Sequence, residues 1–582
     1  MPAAWRIKLM AMWHRVDVDH NQWLIMEDGT RLAASLYRPK GANERLPTIL
    51  VRLPYHRLHY EEGYNSGFFF ARNGYAVLVQ DLRGTGDSEG ELLPWAHASG
   101  DAADTIGWIV AQPWSDGKVG TFGCSALAET QLVSQDRAPD NWRAMVVSGG
   151  GGAVGSLQDR HTYFGLFEGG VFQLASGFGW FVRHGTMRPK APAAKPFAFS
   201  TWLRGRPVSK LVERVRSAPN GYTAFLTTPL GDPMWDKWGY LTDASRLRVP
   251  ALVINTWGDQ TIQDTLVLAE HWRKADPEGT RGRQKVLIAA GAHCGHEEAG
   301  RSGQFGELEI GNAAQPYRQF FLRWFDYWLH GKGDALAELP AYTFYVIGAD
   351  AWLSSESWPP SEASTERWYL GSNGRANSKS GNGYLTKELR KGAATDSWRY
   401  DPDDPVPSRG GPLCCTGNPA DRPGPADQEE IEKRKDVLVY TTAPMDADYW
   451  IAGPIKASLT VSSDVKDTDI VARLVHVWPD GRATSIQEGA LRLRYRNGFR
   501  KPVFLEPGQP VRVLVDMRSI AYKVPKGHRL RLDVTSSSFP RLERNWNTGG
   551  DNAVETLALV AENRMHYDVQ GSWLELPVLP RR

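Results

Sequence analysis

Lys118-Val-Gly-Thr-Phe-Gly-Cys-Ser-Ala-Leu-Ala128 is the stretch on which the reading of this chain turns. Lys118–Gly123 has the short apolar character of a strand, and Ala126–Ser134 that of a helix. Ser125 falls at the junction. A sharp strand-to-helix turn lifts a serine oxygen clear of a sheet, small neighbours allow the turn, and the first N–H groups of the helix face any negative charge that develops there. The usual pattern for such a turn is Gly-x-Ser-x-Gly. Here Gly123-Cys124-Ser125-Ala126-Leu127 lacks the second glycine. A serine in this position is also an ordinary helix cap, so the surroundings have to decide.

Outward from Ser125, strands and helices alternate. Thr48–Leu53, Tyr75–Gln80 and Trp142–Val147 are continuous apolar runs, and Asp101–Ala111 carries helical periodicity. Strands buried on both faces read this way, which predicts a mostly parallel sheet. The pattern breaks at the glycine run Ser148–Gly152, and residues 149–241 are aromatic-rich and irregular, with the Pro-rich stretch Met187–Pro196. It resumes with Val249–Asn255 and Gln284–Ala290. Tyr317–His330 is an amphipathic helix with Phe320, Phe321, Trp324, Phe325, Trp328 and Leu329 on one face. The expectation is an α/β layer in two segments, 1–148 and 242–358, with 149–241 inserted as a helical cap. From 359 to 582 short alternating runs recur between turn residues (Ile455–Val461, Asp469–Trp478, Val511–Asp516, Arg529–Thr535), which predicts an all-β jelly roll or sandwich.

A serine nucleophile on such a sheet needs an acid and then a histidine, each just after a later strand. Asp259 follows the strand Val249–Asn255, and His293 follows Gln284–Ala290. The expected roles follow from chemistry: His293 takes the Ser125 proton and returns it to the leaving group, while Asp259 fixes the imidazole tautomer and stabilises its cation. His296, three residues on, is the rival base.

The rest of the composition narrows the classes. Among 582 residues, 68 basic and 66 acidic side chains leave a net charge of +2, without the basic surplus of a nucleic-acid binder. No run of about 18 apolar residues reads as a membrane span, and Leu9–Trp13 is too short for a signal-peptide core, so the sequence suggests a cytoplasmic protein. The four cysteines, Cys124, Cys294, Cys414 and Cys415, form no disulfide framework. A reducing compartment is the default expectation, with Cys124 as buried packing. His293-Cys294-Gly-His296-Glu297 has zinc-like ligand types, but no further cluster completes it, and neither a P-loop nor a dinucleotide loop is present. The expectation is a cofactor-free, metal-free enzyme acting on a small-molecule ester or amide, with no nucleic-acid or membrane partner. The oligomeric state, a homo-oligomer included, stays open.

Across almost its whole length the chain resembles the cocaine esterase-like hydrolases, relatives of α-amino acid ester hydrolases, glutaryl acylases and Xaa-Pro dipeptidyl peptidases. The strings that carry the resemblance are Met26-Glu-Asp-Gly-Thr-Arg-Leu-Ala33, Asp81-Leu-Arg-Gly-Thr-Gly-Asp-Ser-Glu-Gly90, Gln112-Pro-Trp114, Asp401-Pro-Asp-Asp-Pro-Val-Pro407, Pro425-Ala-Asp-Gln428 and Asn545-Trp-Asn-Thr-Gly549. The resemblance implies an α/β-hydrolase domain, an inserted cap and a C-terminal jelly roll. It also implies an oxyanion hole built from the hydroxyl of Tyr55 and the backbone N–H of Ala126. The chain departs from the family pattern at Ala126, usually tyrosine, at Ala128, usually glycine, and at Ala289-Ala-Gly-Ala-His293, where Gly-Pro-Trp-x-His is common. Three functions are therefore weighed: an esterase or acylase with a Ser125 acyl-enzyme; a dipeptidyl peptidase or α-amino acid ester hydrolase, which the mainly basic tract Arg204–Arg216 disfavours; and a non-catalytic carbohydrate-binding protein.

Overall fold

The structure, a computed structural model, describes residues 3–189, 192, 194–389, 395–567 and 571–580. Lys190, Ala191 and Ala193 of the Pro-rich stretch lie outside them. The chain forms a mixed α/β fold around one large sheet, followed by a separate β-rich domain. The large sheet has ten strands: β1 (Val16–Ile25), β2 (Arg31–Pro39), β3 (Leu46–Leu53), β4 (Ala76–Asp81), β5 (Ser115–Cys124), β6 (Trp142–Ser148), β7 (Ala251–Gly258), β8 (Gln284–Ala292), β9 (Tyr342–Val346) and β10 (Ala351–Ser355). Their spatial order is β1-β2-β4-β3-β5-β6-β7-β8-β9-β10.

The strands from β4 to β9 run parallel. Every residue of β3, β4 and β7 is buried, which is why these strands read as unbroken apolar runs. The edges are antiparallel: β1 on β2, β2 on β4, and β10 on β9. The apolar pattern announces neither β1 nor β2, nor the helix Ala3–His14 before them. Residues along β1 alternate between more and less buried, the weaker signature of a half-exposed edge strand.

On one face, the helix Tyr317–Phe325 continues as a wider turn through Asp326–His330. Phe320, Phe321, Trp324, Phe325 and Leu329 pack against Ile49, Val77, Leu252 and Leu287 of the sheet. The fit is closest at Gly120 of β5, where a Cβ would stand 2.6 Å from the Phe325 ring and 3.1 Å from Leu329. Between the neighbouring strands β6 and β7 the chain leaves the sheet for a long excursion of short helices, including Leu174–His184, Leu211–Val215 and Tyr222–Thr227. Its aromatic residues are mostly core: Trp235 is wholly buried and stacks on Tyr163 at 4.3 Å.

The β-rich domain is an eleven-stranded sheet system, with Tyr449–Ser463 paired to Val511–Val524 along most of its length. It holds the excursion through buried charge. Glu168 receives both Arg518 and Arg541, and Glu488 receives Arg473 and Arg541. Removing one member of such a network strands its partners in a medium that cannot solvate them. No helix of the described residues is long and apolar enough to cross a membrane.

The close approach at Gly120 gives a direct test of the packing. Gly120→Val should lower stability by about 1–3 kcal/mol through overpacking against Phe325, read as a lower thermal midpoint. Gly117→Ala, which meets only Asn141 at 3.8 Å but stands at φ +89°, serves as the backbone-strain control.

Candidate active site

Ser125 sits between the end of β5 and the helix Ala126–Leu132 with φ 63° and ψ −132°. A non-glycine residue in that region is strained and is held there only by its surroundings. Three contacts hold it. The Ser125 N–H donates to the Ser148 carbonyl at 2.8 Å, and the Ser125 carbonyl accepts from Ala128 and Glu129 at 2.8 and 2.9 Å. The neighbouring Cys124 N–H donates to Glu62 Oε1 at 3.1 Å.

The glycine run after β6 has a spatial explanation. Gly149, at φ +59°, lies flat against the acid and the histidine: a Cβ there would stand 3.1 Å from Asp259 Oδ2 and 3.1 Å from His293 Cε1. Gly150 faces Ala128 and Leu132, and Gly152 faces Glu129. The space that the missing glycine at position 128 would have left on the helix is supplied from the opposite side by Gly150.

Asp259 and His293 meet at the ends of β7 and β8. His293 Nδ1 and Asp259 Oδ2 are 2.6 Å apart, and Thr261 donates to Asp259 Oδ1 through both its N–H, at 2.7 Å, and its hydroxyl, at 2.8 Å. Burial works against both charges, but the pair outweighs it: Asp259 raises the imidazole above its ordinary value, and His293 holds the carboxyl below its own. His293 Nε2 is buried with no hydrogen-bond partner. The rival His296 begins the helix His296–Ser302, packs on Tyr317 at 4.5 Å and stands 3.4 Å from Ser148 Oγ. Burial pushes it down to about 4, and among the described residues no carboxylate bonds its ring.

Tyr55 follows β3. Trp180 Nε1–H donates to the Tyr55 hydroxyl oxygen at 3.1 Å. Burial keeps the phenol far above its ordinary pKa and therefore protonated. Tyr60 and His184 pack on the ring at 4.6 and 4.5 Å. Trp180 belongs to the excursion helix Leu174–His184, and nothing in the sequence singles it out among 23 tryptophans.

Two further findings correct the expectations. Cys124 and Cys294 are joined by a disulfide, with Cα atoms 6.1 Å apart and a sequence separation of 170. Cys124 is therefore not simple packing, and the zinc-like reading of the segment His293–Glu297 loses its thiol. The bridge ties the residue before Ser125 to the residue after His293. It is illegible in the sequence because only the folded chain brings the end of β5 and the turn after β8 together, across the two strands that lie between them in the sheet. Such bonds persist mainly in oxidising compartments, so cysteine usage no longer argues for a reducing one. The second finding comes from the β-rich domain, whose loop brings the free thiols Cys414 and Cys415 to the site. Their sulfurs and a ring nitrogen of His293 lie within 4.8 Å of one another.

Two carboxyls, the half-buried Glu62 and the buried Glu129, lie near these residues. Glu62 accepts from Tyr60 and Cys124 and is pushed up to about 7 by burial; Glu129 accepts from Trp95 Nε1 at 3.0 Å and is pushed up to about 8 by burial.

The comparisons with known proteins identify a hydrolase. The chain belongs to the cocaine esterase-like family of serine hydrolases, whose members include esterases. It is 32% identical to the cocaine esterase of a Rhodococcus strain, over 97% of this chain and 99% of that one. A putative serine esterase of Mycobacterium bovis is 22% identical over 88% of this chain and 90% of its own. Residues 28–295 match the X-Pro dipeptidyl-peptidase (S15) family, and residues 331–572 match the X-Pro dipeptidyl-peptidase C-terminal non-catalytic domain. An α-amino acid ester hydrolase shares the fold with a TM-score of 0.80 at 22% identity, covering 97% of each chain. An aminopeptidase from a Thaumarchaeota archaeon does so with 0.82 at 23%, covering 97% of each.

Two measurements follow from the site. Reducing the Cys124–Cys294 bridge, or replacing both residues by serine, should cost about 2–4 kcal/mol of stability, read as a lower thermal midpoint. Glu129 gives a pH signature. Unfolded, it ionises near 4.5; folded, not until about 8. The folded chain thus binds the extra proton between those values, and stability drains as pH rises from 4.5 to 8. Glu129→Gln, which still accepts from Trp95, should flatten that slope, its advantage in thermal midpoint growing from about pH 5 upward.

Proposed function

We propose that this protein hydrolyses carboxylic esters, and more slowly amides, of small acyl substrates through a Ser125 acyl-enzyme, with His293 as general base, Asp259 as its orienting acid, and Tyr55 O–H with Ala126 N–H as the oxyanion hole. The observation that carries this reading is the Asp259–His293 hydrogen bond of 2.6 Å, pressed against Gly149. It leaves Nε2 unpaired on a histidine whose neighbour is bridged to the neighbour of Ser125.

In the first step Ser125 Oγ bonds to the substrate carbonyl carbon while His293 Nε2 takes the hydroxyl proton. The carbonyl oxygen becomes an oxyanion. Trp180 donates to the Tyr55 oxygen, so the Tyr55 proton is free to point at that oxyanion. The Ala126 N–H, among the first of its helix, has no intrahelical partner and supplies the second donor. Each such donor is worth about 2.7–4 kcal/mol in the transition state. The bond to the leaving alcohol then breaks, and His293 returns the proton to it. Water repeats the sequence on the acyl-enzyme and frees the acid. The reading extends to architecture: residues 149–241 act as a cap over the acyl pocket, and residues 359–582 form a jelly roll.

The match of residues 28–295 to the X-Pro dipeptidyl-peptidase family favours a second reading, in which the substrate carries a free amino group. That chemistry needs a charged carboxylate facing the substrate ammonium. Besides Asp259, which is engaged by His293, the carboxyls beside the site are Glu62 and Glu129, and both already accept hydrogen bonds and are pushed toward neutrality. Ester hydrolysis is therefore the stronger reading.

A fluorophosphonate label followed by peptide mapping should modify Ser125 alone; labelling elsewhere, or an active protein that resists the label, would sink the proposal. p-Nitrophenyl esters should be turned over in preference to aminoacyl-proline amides. Asp259→Asn should lower kcat by about four orders of magnitude. Because Asp259 raises the His293 pKa, its loss should also move the acid limb of the kcat/KM profile to lower pH, the direction opposite to a generally damaged site.

A further inference from the structure

Acyl transfer uses Nε2 of His293 and leaves the two thiols beside it without a task. Cys415 has φ 59°, so its backbone is held in the left-handed region. The loop is pinned from below: the Cys414 N–H donates to Ser176 Oγ at 3.4 Å, and Gly179 lies against the carbonyls of Cys415 and Thr416. Neither thiol can pair with Cys294, which is bridged to Cys124. Two sulfurs and an imidazole nitrogen within 4.8 Å of one another, on three residues that each keep part of their surface exposed, are a soft-metal donor set on a prearranged frame.

We propose that His293, Cys414 and Cys415 form a binding site for a soft divalent cation of the zinc class, and that occupancy silences the hydrolase by taking the nitrogen that serves Ser125. The inference rests on the assignment of His293 as general base. Two thiolates and one imidazole, with a water in the fourth position, are a standard tetrahedral zinc set, with bonds of about 2.3 Å to sulfur and about 2.0–2.1 Å to nitrogen. Donor atoms around such an ion stand about 3.5–4 Å apart, so side-chain rotations close the present spacing. The second shell is already in place. Asp259 engages Nδ1, which fixes the tautomer, leaves the lone pair on Nε2 and raises its basicity, the usual carboxylate–histidine–metal arrangement. On binding, each thiol gives its proton to solvent, two metal–sulfur bonds and one metal–nitrogen bond form, and no electron changes hands. A chelator reverses it.

The test uses the full chain with its bridge intact and its two free thiols counted by Ellman's reagent. Zinc chloride is titrated in equilibrium dialysis while p-nitrophenyl ester hydrolysis is followed in parallel. One zinc per chain is expected, with activity lost in proportion and restored by EDTA. The double variant Cys414→Ser, Cys415→Ser should lose that binding and, whatever its basal rate, keep the rate in zinc. Asp259→Asn should weaken zinc about 10–100-fold in dialysis, an effect that thiols lying idle in the pocket would not produce. Should the double variant fail to fold, cadmium added to the native protein decides the same question: thiolate-to-metal absorption in the ultraviolet supports the site, and its absence overturns it. No zinc bound by the native chain, full-affinity binding by the double variant, or bound zinc without loss of hydrolysis would each overturn the proposal. His293→Ala, read by dialysis alone, separates the two assignments. Weakened zinc binding in a variant that stayed active would remove the base role and leave the metal site standing, while unchanged binding would remove His293 from the metal site.

Discussion

The short hydrogen bond between His293 and Asp259 organises everything around it. A carboxylate with no exposed surface cannot stay ionised unless its surroundings supply what water would, and here they do. The imidazole bonds one oxygen, and Thr261 gives two donors to the other. The pair also needs room, which a glycine provides. Any side chain at position 149 would press on the carboxylate and the imidazole at once. Thus a strand end, a glycine turn and a helix start converge on a pair of side chains that belong to two other strand ends.

Burial sets the electrostatics of the rest of the floor, with opposite results for different groups. Glu62 and Glu129 are pushed up by burial, which their hydrogen bonds and the pull of His293 only partly offset, and they act as hydrogen-bond acceptors for Cys124 and Trp95. Asp259 is equally buried yet is held down, because His293 can carry the balancing charge. Tyr55 stays a proton donor because its anion would be unsolvated.

Much of this is legible in the sequence. The unbroken apolar runs locate β3, β4, β6, β7 and β8, and Asp259 and His293 stand out because each follows such a run in the chain order that the fold demands. The amphipathic stretch Tyr317–His330 declares its buried face. What stays hidden has no periodic or local signal. The edge strand β1 is only partly buried along its length, and β2 beside it, though largely buried, is too polar and mixed to read as an apolar run. Trp180 looks like any other aromatic. Gly149 reads as a break in the pattern, although its meaning lies in two residues more than 100 positions away.

The sequence by itself determined which strands are buried on both sides, where the strained serine stands, and the order in which acid and histidine follow it, because burial and turn chemistry are properties of neighbours along the chain. Tertiary structure alone decided the partners: Cys124 with Cys294, Trp180 with Tyr55, His293 rather than His296 with Asp259, and Cys414 and Cys415 beside His293. Each of these joins residues on separate elements, and the distance between them is set by how strands align in the sheet and how the excursion and the β-rich domain close over it. No local pattern encodes such a distance, since many registers of the same strands would satisfy the same hydrophobic spacing.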